Sequence, residues 1–316
     1  MLNRRMAIAL GAAAAAAPSS VWAADPLPRL VLVHGRSQQG KNPQQLETEW
    51  LEALRIGALK SSRKLADTVE VAFPFYGDVL DDFTRQADIP LTSDIQTKGS
   101  DADDGFLAFE AEFAEEIRKG AGISEAEIDA EYGTNPKQKG PQNWEWVQSI
   151  LRAIDKRGGG LSLSALEQFM RDVYLYTTSE RVRDEIDSIV RSKMTEEPSL
   201  IIGHSLGSVV AYSVLTTDER TLKVPMLITV GSPLGVRPIR KAFQPLKAPP
   251  NVAAWYNAFD RRDVVALYPL DANNFAITPA VENYDGVLNT TVNRHGIVGY
   301  LNNKEVAGRV MDIVGD

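Results

Sequence analysis

The sequence predicts an α/β fold, with a mostly parallel sheet and helices on both of its faces. Three observations carry that expectation. Short apolar, β-rich runs recur along the chain: Arg29–Val33, Val69–Phe73, Leu200–Ile202, Met226–Val230 and Val252–Phe259. Runs that are apolar throughout, without a polar residue at every second position, suit strands buried on both faces, as in parallel sheets. Each run stops at a turn residue: Gly35, Pro74 with Gly77, Gly203, Gly231 and Asp260 respectively. Segments of helical periodicity fill the intervals, and strands alternating with helices define the class.

Along the chain, Asn42-Pro43 offers an N-cap and a first-turn proline. Leu46, Trp50, Leu51, Leu54 and Ala58 follow at helical spacing, completing a β-α-β unit with the run at Val69. The rhythm then breaks. Helical patterns around Phe106–Arg118, Trp144–Asp155 and Ser164–Tyr174 are separated by loops at 133–141 and 158–160. About 78–178 therefore reads as a helical insertion before the strand at Leu200, and a candidate lid. Its aromatics Phe106, Phe109, Phe113, Trp144, Trp146 and Phe169 fit two roles: covering an apolar pocket, or packing a helical bundle on the sheet. Glu180–Lys193 supplies the crossover helix into Leu200.

At the N-terminus, Arg4 and Arg5 precede an uncharged stretch, Met6–Ala17, and Val21-Trp22-Ala23 follows. This is the pattern of an export signal cleaved after Ala23, which leaves one domain over 24–316 and places the protein in the periplasm or outside the cell. The paired arginines resemble a twin-arginine signal. The apolar stretch is shorter than the roughly 20 residues of a spanning helix, so no stable membrane span is expected.

Composition narrows the chemistry. The 316 residues include no cysteine, which excludes thiol catalysis, disulfides and cysteine metal sites, and only three histidines, His34, His204 and His295. No metal or cofactor is expected. The net charge of −8 becomes −10 once Arg4 and Arg5 are removed with the signal, and no basic cluster suggests nucleic-acid binding. Asp101-Ala102-Asp103-Asp104-Gly105 hints at calcium, but its glycine falls at the fifth loop position and not the sixth, so a solvated acidic loop is the reading.

One motif points to nucleophilic chemistry. Gly203-His204-Ser205-Leu206-Gly207 lies between a strand and the helical run from Ser208. A serine on such a turn presents its hydroxyl above the sheet edge, at a helix N-terminus. Hydroxyl attack needs a base within hydrogen-bond reach. His204 adjoins Ser205 on a path that points it away, and His34 lies in the turn after the first strand. His295 remains as the base. An acid to orient it follows the Val252 strand, where Asp260 and Asp263 both qualify; Asp271 and Asp285 lie further out. Oxyanion donors are expected from the N–H groups of Leu206 and Arg36. The Arg36 side chain is open to three roles: binding an anion, facing solvent or forming an internal ion pair.

The order serine, acid, histidine, with the His34-Gly35 turn and the Gly203–Gly207 elbow, resembles the α/β-hydrolase superfamily over about 29–300. More narrowly the chain is similar to lipases and carboxylesterases. Gly231-Ser232-Pro233-Leu234-Gly235 resembles the segment after the next strand in lipases. Tyr256-Asn257 through Asp263-Val264-Val265-Ala266 resembles the acid-bearing segment of lipase-like and intracellular phospholipase families, which favours Asp263 over Asp260. The resemblance implies an α/β-hydrolase fold and a Ser205–His295–Asp263 triad cleaving a small-molecule or lipid carboxylic ester through an acyl-enzyme, without a cofactor. A thioesterase, amidase or acyltransferase shares that fold and nucleophile, and a non-catalytic binding protein shares the fold alone.

Overall fold

The computed structural model describes residues 28–94, 103–132, 144–156 and 162–315. The expected export signal, the loops at 133–141 and 158–160, and Asp101-Ala102 of the acidic loop lie outside them. Among the described residues six parallel strands form one sheet in the order β2-β1-β3-β4-β5-β6. They are β1 (Arg29–Val33), β2 (Val71–Ala72), β3 (Ser199–His204), β4 (Leu227–Val230), β5 (Trp255–Ala258) and β6 (Glu282–Tyr284). The α/β class read from the sequence is the observed class.

The helices are α1 (Pro43–Lys60), α2 (Gly77–Ala87), α3 (Asp104–Gly120), α4 (Glu125–Tyr132), α5 (Trp144–Lys156), α6 (Leu163–Thr178), α7 (Glu180–Lys193), α8 (Leu206–Thr217), α9 (Arg237–Lys241), α10 (Ile297–Leu301) and α11 (Lys304–Val314). Strand residues alternate between two cores because successive side chains leave opposite faces of a strand. Leu30, Leu32, Leu200, Ile202, Ile228 and Tyr256 pack with Trp50 and Leu54 of α1 and with Val306 and Val310 of α11. Val31, Val33, Ile201, Leu227 and Trp255 join the core built by α2, α3, α5, α6, α7 and α8.

Local signals explain the helix starts. Asn42 Oδ1 accepts the Gln45 N–H at 3.0 Å ahead of Pro43. Asp103 caps α3 by accepting the Phe106 N–H at 2.8 Å, so one carboxylate of the acidic loop serves as a helix cap. Among the described residues no group of three or more histidines, aspartates or glutamates is arranged to hold a metal ion. Nor is any helix there long and apolar enough to cross a membrane.

The segment between β2 and β3 is a helical layer continuous with the core of one sheet face. Phe106, Phe109, Phe113 and Trp146 are buried in it.

Candidate active site

The order of strands reverses between β1 and β3, since the chain runs from β1 outward to β2 and returns on the other side of β1. Open α/β sheets form a crevice at such a point, beyond the carboxyl ends of the strands. The loops after β1, β3 and β5 all arrive there.

Ser205 forms the corner between β3 and α8, with φ 55° and ψ −129°. A positive φ is uncommon for a residue with a Cβ and costs on the order of 1–3 kcal/mol, so surrounding contacts must impose it. They do. The Ser205 N–H donates to Val230 O at 3.1 Å, and its carbonyl accepts from the Ser208 N–H at 2.9 Å and the Ser208 hydroxyl at 2.6 Å. Gly207 permits the close passage of β1: a Cβ there would overlap the carbonyl oxygens of Val33 and His34.

His295 reaches this corner from the loop before α10. Its Nε2 lies 2.8 Å from Ser205 Oγ, and its Nδ1 lies 2.6 Å from Asp263 Oδ2. With Nδ1–H donating to the carboxylate, Nε2 is free to accept the serine proton. Asp263 is fully buried, and its Oδ1 accepts the Val265 N–H at 3.0 Å. The structure thus joins Ser205, His295 and Asp263 in one hydrogen-bonded line. Asp260 lies outside it. Its carboxylate takes the Arg262 side chain at 2.7 Å and the Asn289 N–H at 2.8 Å. Burial pushes its acidity down, but those bonds outweigh burial and hold its carboxyl below the usual range. Asp285 pairs with Arg261, and Asp271 caps the turn at Asn273 and Asn274.

The other two histidines buttress the site. The His204 ring leaves β3 on the face opposite Ile201, near Trp50, and its Nε2–H donates to the His295 carbonyl at 2.7 Å. Burial, then the neighbouring His295, depresses its basicity well below the ordinary range, so it stays neutral. His34 Nδ1–H donates to Gly35 O at 2.6 Å, while its Nε2 accepts the Tyr76 N–H at 3.1 Å. Burial pushes the His34 pKa down to about 4. The Gly35 carbonyl and the Arg36 N–H share one trans peptide and point in opposite directions. His34 therefore fixes the direction of the Arg36 N–H. Gly35 lets this peptide approach the serine: a Cβ there would lie 2.9 Å from Ser205 Cβ and 3.4 Å from Ser205 Oγ.

Leu206 is the first residue of α8, and the first-turn amides of a helix have no intrahelical acceptor. The Arg36 side chain forms the internal ion pair: its Nε donates to Asp172 Oδ2 at 2.6 Å and its Nη2 to Gln168 Oε1 at 3.1 Å, both on α6. A cavity of about 290 Å³ opens over Ser205 and His295, walled by Leu46, Trp50, Phe169 and Ile297, with Gln38 and Lys41 at one side. Of the six insertion aromatics, Phe169 is the one lining it, with its ring edge-on to His295 at 6.5 Å. Of the two roles open to these aromatics, packing is the one seen for Phe106, Phe109, Phe113 and Trp146, which hydrophobic burial draws into the helical layer.

Two contributors escaped the sequence reading. Tyr300 on α10 donates its hydroxyl to Asp263 Oδ2 at 2.6 Å. Asn289 latches the histidine loop, its side chain accepting the Thr291 N–H at 3.0 Å and donating to Gly296 O at 2.9 Å. Compared with known proteins, the chain matches no family model, no curated sequence and no solved structure.

Proposed function

We propose that the protein is a serine hydrolase of the α/β-hydrolase type that cleaves carboxylic esters. Ser205 is the nucleophile, His295 the general base and then the general acid, and Asp263 the residue that orients the imidazole. The observation that carries this reading is the unbroken line from Ser205 Oγ to His295 (2.8 Å) and on to Asp263 (2.6 Å), built on a serine held at positive φ. A hydroxyl at its ordinary acidity is a weak nucleophile, and an aligned base is what activates it.

In the first half-reaction Ser205 Oγ bonds to the acyl carbon while its proton passes to His295 Nε2. The oxyanion that forms is met by the N–H groups of Leu206 and Arg36. Collapse expels the alcohol, which takes the proton from His295. Water then repeats the sequence on the acyl-enzyme and frees the acid. The cavity of about 290 Å³ lies at the low end of ligand pockets, which favours compact esters over bulky ones. Export through the N-terminal signal is proposed with this activity.

A fluorophosphonate probe, which phosphonylates activated serines, tests the reading. Wild type is expected to be labelled and Ser205→Ala spared, with hydrolysis of p-nitrophenyl esters lost in the same variant. Equal labelling of both proteins removes Ser205 from the mechanism. Graded chain lengths are expected to show turnover falling from short to long acyl groups.

A further inference from the structure

We propose that Tyr300 is a positioning residue of the proposed catalytic line, sharing one oxygen of Asp263 with His295 and thereby setting how strongly the carboxylate holds the charged imidazole. The inference rests on the hydrolase reading for its consequence in catalysis, but its physical content is a coupling among three side chains.

The geometry fixes the direction of each bond. Tyr300 is fully buried. The Asp260 N–H lies 3.4 Å from the Tyr300 hydroxyl oxygen and donates to it, so the hydroxyl hydrogen goes to Asp263 Oδ2 at 2.6 Å. The same Oδ2 receives His295 Nδ1–H at 2.6 Å. Burial and the adjacent Asp263 raise the Tyr300 hydroxyl well above its usual acidity range, so it remains a donor. Room for both rings comes from Gly231, at φ 58° after β4. A Cβ there would stand 3.0 Å from Tyr300 Cε2 and 3.3 Å from His295 Nδ1.

Two donors on one carboxylate oxygen compete for its electron density. A hydrogen bond to the charged form of an acid favours that form and weakens it as a proton acceptor. Without the tyrosine hydroxyl, Oδ2 serves His295 alone and stabilises the imidazolium more. No proton leaves Tyr300 at any step. The other ionisable groups facing the line are neutral His204 beneath the ring, Asp260, paired with Arg262 and bonded to Tyr300 through its N–H alone, Arg36 paired with Asp172, and Lys41 and Glu49 on the cavity wall.

The test compares wild type, Tyr300→Phe and a protein with 3-fluorotyrosine placed at position 300 alone. Imidazole ¹⁵N signals report which histidines are charged, and the chain has only three. In Tyr300→Phe, His295 is expected to become charged at a pH about half to one unit higher than in wild type. The acidic limb of kcat/KM is expected to move with it while KM stays constant, since Tyr300 does not line the cavity. The more acidic fluorophenol keeps the packing and strengthens the bond, so it is expected to move both readouts the opposite way. A merely structural tyrosine would lower activity without moving either pH midpoint. Unchanged midpoints in both variants overturn the proposal, and the fluorinated protein decides it should Tyr300→Phe fail to fold. If the ¹⁵N midpoint moves while no ester is turned over and Ser205 resists the phosphonate, the coupling stands and the hydrolase reading falls.

Discussion

Asp263 at the end of the sheet and the Glu110–Glu167 pair within the helical layer are both fully buried, yet they are supplied with donors very differently. Asp263 receives three: the Val265 N–H, His295 Nδ1–H and the Tyr300 hydroxyl. In the helical layer the donors converge on the Oε1 atoms. Glu167 Oε1 takes the Ser93 N–H at 2.9 Å, Gln148 Nε2 at 2.7 Å and the Thr92 hydroxyl at 2.6 Å. The Oε2 atoms of Glu110 and Glu167 are buried without a hydrogen-bond partner. Thr92 has a single hydroxyl hydrogen, given to Glu167, and its oxygen also accepts from Gln148. Its 3.0 Å contact with Glu110 Oε1 is then a hydrogen bond only when Glu110 carries the proton. Burial first, and Glu167 second, push the Glu110 pKa up to about 8, in agreement. Where the outer oxygens of a buried carboxyl pair lack donors, Glu110 keeps a proton.

The largest effect is expected at the sheet end, from neutralising the two aspartates of the loop after β5 one at a time. Asp263→Asn removes the charge that balances the imidazolium and offers N–H where the ring needs an acceptor. Turnover of a p-nitrophenyl ester is expected to fall on the order of 10³–10⁴-fold. Asp260→Asn, three residues away, disturbs Arg262 and Asn289 and is expected to cost melting temperature while kcat stays within about tenfold. Similar losses of kcat in the two variants would erase the distinction between the aspartates.

In the helical layer the expected effect is on stability and carries a sign. Glu110 holds its proton in the fold up to about pH 8, whereas the unfolded chain releases it near 4.5, the ordinary value of a glutamate. Its contribution is fully present below pH 4.5 and is lost as pH rises through 8. Glu110→Gln cannot ionise, and its amide donates to Thr92 in place of the carboxyl proton. Denaturation of both proteins from pH 5 to 8 is expected to show wild type losing stability relative to the variant, on the order of a few kcal/mol. Parallel curves would mean that Glu110 is already charged in the fold.

What could be read from the sequence follows the same division. Strand ends are local: the turns at Gly35, Gly203 and Asp260 follow apolar runs, and all three lead to the crevice. With only three histidines in the chain, His295 could be placed beside Ser205 by elimination, and the structure brings the two together. Tyr300 could not be found that way, because nothing in its spacing from Asp263 encodes a contact made when α10 docks on α1. The three-residue strand β6 has no buried position, so its pattern carried no strand signal. Glu110, Gln148 and Glu167 sit on amphipathic helices, where polar residues read as solvent-facing until the helices are assembled. The aromatics of the insertion left two roles open for the same reason: a stripe at helical spacing looks alike whether it faces a ligand or another helix.

The two regions are tied together by the pair between Arg36 on the loop after β1 and Asp172 on α6, and the smallest expected effect tests it. Helix α6 holds Glu167 in the buried network, Phe169 at the cavity and Asp172 on the arginine. Asp172 Oδ1 also accepts the Thr84 hydroxyl at 3.3 Å, which ties α2 to the same carboxylate. Asp172→Asn keeps the shape of this junction but turns a charge-assisted bond into one about half as strong. If that loss, about 1.4 kcal/mol, is expressed in the position of the Arg36 N–H, kcat is expected to fall about tenfold with KM little changed. The reasoning is geometric: the Arg36 side chain and its N–H belong to one residue, so a loosened guanidinium lets the peptide drift from Ser205. Asp172→Glu, which restores the charge on a longer stem, is expected to recover part of the loss. A rise in KM without a change in kcat would instead assign the pair to the cavity wall, and leave the helical layer without influence on the serine.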